Sequence, residues 1–218
     1  LSATVALTGH ARAAEVQTVE VAGVTAWLSA DRAVPVVAIA FRIEGGAATD
    51  PAALQGRARL LADLLTEGAG DLDASAFKKR LADLSATIEF DAGQDAISGS
   101  LYTLSANLAA AADLLGLALT APRFDEDALK RAQARQIASL ESAREQPARR
   151  AYRAFLETAF ANHPYARSVR GRAATLAKIS VDDLNALRQR RFGRDRLLVA
   201  AAGDIDPARL RDALMRAF

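Results

Sequence analysis

Apolar positions along this chain follow two alternating rhythms, one suited to strands and one to helices. Val16–Val21 and Thr25–Ser29 are rich in β-branched residues and flank Ala22-Gly23, which predicts a hairpin. Val36–Ile43 is a nearly unbroken apolar run after Pro35 and reads as a central strand ended by Gly45-Gly46. Asp50-Pro51 then signals a helix to about Thr66, with leucines at 54, 60, 61, 64 and 65 on its apolar side. Gly68-Ala69-Gly70 breaks it, and Asp73 opens another helix to about Leu84. Thr87–Asp91 and Ala96–Thr103 alternate as strands around the turn-prone Ala92-Gly93-Gln94-Asp95.

From there the helical period dominates. Leu104–Thr120 is amphipathic and stops before Pro122; a long helix runs from Asp125 to about Glu145 and ends at Pro147; a third reaches Ala161. Ser180-Val181-Asp182-Asp183 is a capping-box pattern for a helix through Arg191. Leu197–Ala202 reads as a buried strand, and Asp206-Pro207 opens a last helix. Paired hairpins followed by helices predict an α+β fold, a mostly antiparallel sheet with helices packed against it. No short repeat or low-complexity linker divides the 218 residues. The expectation is a single domain over 15–218, and the last helix running to the final residue suggests the N-terminal half of a longer two-domain chain.

Composition narrows the chemistry. Half of the residues are apolar (51%) and a quarter charged (25%), the mix of a globular protein with a real core. The net charge is only +2, although Arg outnumbers Lys heavily: four of the 28 basic residues are Lys. So balanced a charge gives little reason to propose a nucleic-acid partner. The chain has no Cys, which excludes disulfides and thiolate chemistry, and its two His, His10 and His163, cannot supply a multi-histidine metal site. No apolar run is long enough for a membrane span, so stable membrane insertion is not expected. The run Leu1–Thr8 followed by Ala11-Arg12-Ala13-Ala14 fits the end of a cleaved signal peptide; the other reading of 1–14 is a flexible tail. The first reading implies export, in a bacterium to the periplasm.

The most specific pattern is Gly56-Arg57-Ala58-Arg59-Leu60-Leu61-Ala62-Asp63-Leu64-Leu65-Thr66-Glu67-Gly68. It resembles the Gly-x-Ala-His-x-x-Glu-His-x-Leu-x-x-Gly segment of the pitrilysin/insulinase-type metallopeptidases, inverted zincins built around H-x-x-E-H. Further segments keep the resemblance from about Val16 to Leu214: Pro122-Arg123-Phe124 before the long helix, His163-Pro164-Tyr165 with Gly171, and Leu198-Val199-Ala200 leading to Gly203-Asp204. Ala166 stands where the family usually has Gly. The resemblance implies a half-domain of the mitochondrial-processing-peptidase type.

The resemblance also shows what is missing. In active relatives two His bind zinc and a Glu activates its water, but here those positions are Arg59, Asp63 and Ala62. A guanidinium keeps its proton and repels a metal cation. The later glutamate ligand of the family falls near Ser139. The resemblance thus implies a chain with no catalytic residues and no zinc or other cofactor of its own. The expected partner is a homologous subunit carrying H-x-x-E-H and the zinc, with a peptide substrate in a shared chamber. The alternative is a structural or assembly module of the same fold with no proteolytic role. Active relatives hold peptides as an added strand on a sheet edge, and the matching segment here is Ile88-Glu89-Phe90-Asp91.

Other polar groupings have plain readings. Arg59, Asp63 and Glu67 stand at i, i+4 and i+8, which predicts a solvated ion-pair stripe. Asp91 and Asp95 bracket a turn and are expected to bond nearby backbone. His163 before Pro164 reads as a packing or capping residue. The run Arg188–Arg196, with its Phe192, reads as a helix end whose cations favour the C-terminal dipole.

Overall fold

The computed structural model describes residues 15–218; the proposed signal-peptide remnant at 1–14 lies outside the described residues. In chain order the strands and helices are β1 (Gln17–Val21), β2 (Val24–Ala30), β3 (Val36–Glu44), α1 (Arg57–Leu64), β4 (Gly68–Ala69), β5 (Leu72–Asp73), α2 (Ala74–Asp83), β6 (Thr87–Ala92) and β7 (Ala96–Leu104). The second half adds α3 (Leu108–Thr120), α4 (Glu126–Arg144), α5 (Pro147–Ala159), α6 (Ala173–Leu176), α7 (Val181–Arg191), β8 (Leu197–Gly203) and α8 (Pro207–Ala217).

One six-stranded sheet carries the fold, in the order β1-β2-β8-β3-β7-β6. Every neighbouring pair is antiparallel except β2 with β8. The α+β expectation therefore holds. On one face Val19, Leu28, Ile39, Phe41, Leu101 and Val199 pack under α3 and α8 in the larger apolar cluster. A second cluster joins α1, α4 and α7 through Leu60, Leu61, Leu64, Leu129, Leu184 and Leu187. Gly99 lets the sheet accept Phe41: a Cβ on Gly99 would lie 2.2 Å from the ring of its cross-strand partner.

Among the described residues the other face is left uncovered, which the apolar runs did not reveal. β3 and β8 alternate buried and exposed positions, so Ala38, Ala40, Ala200 and Ala202 face outward despite their apolar character. Alanine loses little by exposure, so a run containing it satisfies a one-sided strand as well as a fully buried one. A register row crosses this face through Trp27, Ala200, Ala40, Ser100 and Glu89.

Two helix starts differ from the sequence expectation. The helix expected from Asp50-Pro51 begins only at Arg57, after two short 3-10 turns, Ala47–Thr49 and Ala52–Leu54. Gly56 stands before it with φ +95°, a left-handed conformation that interrupts any continuous helix. Likewise Leu104 closes β7, and a 3-10 turn at Ser105–Asn107 precedes α3. The capping box on α7 forms as expected: Ser180 Oγ accepts from Asp183 N at 3.2 Å, and Ser180 N donates to the Asp183 carboxylate at 2.9 Å.

Candidate functional site: a motif helix without its metal ligands

The motif helix α1 is anchored from below by a buried acid. Asp50, only 2% exposed, accepts from the backbone N–H of Ala58 at 3.2 Å and pairs with Arg57 Nε at 3.4 Å. It thereby caps the first turn of α1 from six residues ahead of Gly56, where the backbone N–H groups lack helical partners. Loss of water raises its pKa above the ordinary carboxylate value, against the opposing pull of the Ala58 N–H and the Arg57 guanidinium.

At the degenerate positions the structure brings three charges together. Arg59 Nη2 lies 3.0 Å from Asp63 Oδ1, one helical turn on, and Arg59 Nη1 donates to Asp91 of β6. The guanidinium therefore stands between two carboxylates and links the motif helix to the edge strand. Glu67 does not join this stripe. The helix ends at Leu64, and Glu67 pairs with Lys78 of α2 at 3.0 Å. Asp91 finds a side-chain partner, not the nearby backbone that its place beside a turn predicted. So does Asp95, which accepts from the Tyr165 hydroxyl. That bond raises the pKa of the Tyr165 phenol.

Ala62, at the glutamate position, is buried in the second apolar cluster beside Leu61 and Leu65. Ser139 is exposed on α4 and accepts from Arg170 Nη1 at 2.9 Å. These residues do not fit zinc. Of the four family positions only Asp63 offers a metal donor, and its charge is already met by Arg59. Among the described residues no group of three or more His, Cys, Asp or Glu is placed to hold a metal ion.

The segment expected to hold peptide is divided by its strand. Ile88 is buried, and Phe90 is half-buried with its ring edge-on to Phe41 at 5.9 Å. Glu89 and Asp91 are exposed. β6 ends the order of the six-stranded sheet and, among the described residues, pairs with β7 alone. An edge strand that presents charge resists casual pairing with other chains.

A network with no counterpart in the sequence pattern seats 163–175 over the entrance to α1. Arg167 donates to the carbonyls of Ala48 and Asp50, both at 3.0 Å. Gln94 Nε2 donates to the Arg167 carbonyl at 3.0 Å, Gln136 Nε2 to that of Arg170 at 2.7 Å, and Thr175 Oγ1 to that of Gln55 at 2.8 Å. Side chains that bond distant backbone leave no periodic signal. His163 does cap, as expected: its Nδ1 accepts from Tyr165 N at 3.2 Å. The Arg188–Arg196 run does end a helix, with Arg188, Arg190 and Arg191 in the last turn of α7; Arg188 also donates to the Thr120 carbonyl at 2.9 Å and Arg194 to that of Phe218 at 2.6 Å.

Comparison with known proteins agrees with this geometry. The model of the insulinase family (peptidase family M16) matches residues 26–173. A Helicobacter pylori protein described as "Non-peptidase homolog YmxG" is 28% identical over 167 residues, 77% of this chain and 38% of that protein. The crystal structure of a peptidase M16 inactive domain from Pseudomonas fluorescens superposes with TM-score 0.88 at 25% identity, over 93% of this chain and 50% of that one. Pitrilysin superposes with TM-score 0.80 at 19% identity, over 95% of this chain and 23% of that one, a likeness of fold. The chain thus spans well under two thirds of the length of these relatives.

Proposed function

This chain belongs to the insulinase family, peptidase family M16, and from that premise we propose that it is a non-catalytic, zinc-less subunit or domain of a periplasmic pitrilysin-type peptidase. It forms part of the wall of a substrate chamber and partners a homologous subunit that carries H-x-x-E-H and the zinc. The observation that carries this is Arg59, a permanent cation seated between Asp63 and Asp91 where the family places a metal-binding imidazole. The open sheet face supports a wall role. It is wide and regular, and it presents Trp27, Tyr102 and Leu198, each more than 40% exposed, around a small-residue centre. The edge at Ile88–Asp91 faces substrate in this scheme, but the main peptide-gripping edge belongs to the zinc-bearing subunit.

Co-expression with a homologous subunit that carries H-x-x-E-H tests the proposal. A stable complex that cleaves peptides, with neither chain active alone, is the expected result. A second reading, a structural or assembly module of the same fold, is favoured by the "Non-peptidase homolog" description of the Helicobacter protein. It is the better account if no complex forms, or if the zinc-bearing chain cleaves equally well without this one.

A further inference from the structure

Helix α5 is an amphipathic helix of 13 residues with no buried residue. Most helices of this length owe their stability to burial of the apolar face. Here that face is left half-covered: Tyr152 and Phe155 are 64% and 60% exposed and stack on one another at 6.4 Å. Between α5, the C-terminal half of α4 and residues 166–173 lies a groove of about 880 Å³. Its floor is apolar, formed by the half-buried Ile137, Leu140, Leu156 and Val169, with the exposed Tyr152 at its side.

The rim is cationic. Arg144, Arg149, Arg150 and Arg172 line the groove and have no ion-pair partner among the described residues. Arg153 also lines it, paired with Glu157 at 3.0 Å. Among the described residues Glu141 is the one carboxylate of the lining. So local an excess of arginine, on a chain with net charge +2, sets a definite sign for whatever fills the groove.

We propose that this groove docks an acidic amphipathic segment of a partner protein. Apolar side chains of that segment lie against Leu140, Leu156 and Val169, and its carboxylates pair with the four free arginines. An apolar groove rimmed by charge is the usual seat of such a helix or strand. A single-stranded nucleic acid is held on splayed aromatic platforms, whereas Tyr152 and Phe155 are stacked on each other. A membrane surface would meet the rim but not the recessed floor. The proposal stands whether or not a zinc-bearing subunit joins this chain.

The test uses a fluorescein-labelled peptide of about 15 residues, roughly 22 Å as a helix, with leucines at i, i+3, i+4 and i+7 spacing and glutamates elsewhere. Fluorescence anisotropy should give a Kd of about 1–50 μM at low salt, weakening as ionic strength rises. The same peptide with lysine for glutamate should bind at least about tenfold more weakly. The paired change Arg149→Glu and Arg150→Glu on the exposed side of α5 should cost about tenfold in affinity and leave the melting temperature nearly unchanged. Leu156→Ser should also weaken binding, whereas Arg211→Glu on α8 should not. Equal affinity for the lysine peptide, or no binding of the acidic one at about 100-fold the expected Kd, overturns the proposal. Tighter binding to phosphatidylglycerol vesicles or to a single-stranded oligonucleotide overturns it in favour of a lipid or nucleic-acid surface.

Discussion

At the scale of single residues, two charged groups account for the motif helix. Arg59 meets two carboxylates that would otherwise repel each other, but the contact is partly solvated: the Arg59 and Asp63 side chains are 31% and 27% exposed. Arg59→Met should therefore cost only about 1 kcal/mol, or roughly 3 °C in melting temperature for a chain of this size, and the cost should shrink in high salt. Asp50 differs because it is buried. Asp50→Ala removes the cap of α1 and leaves Arg57 buried without its partner, so the expected loss is about 3 kcal/mol, read from chemical denaturation. Its pKa is raised in the folded chain, so the folded state holds this proton more tightly than the unfolded chain. Stability from this group is complete below the ordinary carboxylate pKa and declines as pH rises through the raised value. Asp50→Asn should flatten that mildly acidic slope while still accepting from the Ala58 N–H. An unchanged slope would show that another group is responsible.

At the scale of elements, the strands and the later helices were legible because their signals are local. The Ser180 capping box named the start of α7 correctly. Ser180→Ala should cost about 1 kcal/mol in thermal or denaturant melts. Leu61→Ala in α1 should cost about 3 kcal/mol, because Leu61 is wholly buried between α1 and its neighbours. Helix starts at α1 and α3 were misplaced for a physical reason: a 3-10 turn shares the composition of a helix and differs only in hydrogen-bond step. The candidate site was legible only in part. The family resemblance made Arg59, Ala62 and Asp63 legible as the degenerate motif positions. The link from Arg59 to Asp91 spans 32 positions and two elements, so no spacing rule reaches it. The Gln94, Gln136 and Arg167 bonds were invisible for the same reason.

At the scale of the whole molecule, the sheet separates two tasks. Its covered face, under α3 and α8, holds the larger core. Its open face and β6 edge are left for other surfaces. In the proposed assembly this edge is a facing wall and not the main grip on peptide. Neutralising Glu89 and Asp91 should then change cleavage by the complex by about threefold or less, under roughly 1 kcal/mol. A hundredfold loss with the complex intact would show that this edge grips substrate. Arg59→His, Ala62→Glu and Asp63→His together should fail to restore full activity of the assembled complex, because the later ligand position, expected near Ser139, would still lack its glutamate.

At this motif a guanidinium takes the metal's place. Elemental analysis of the purified, dialysed chain, after incubation with excess zinc, tests it most directly. The predicted result is zinc well below stoichiometry, under about 0.1 per chain, and no shift in melting temperature on zinc addition. One zinc per chain, lost on Asp63→Ala, would contradict it.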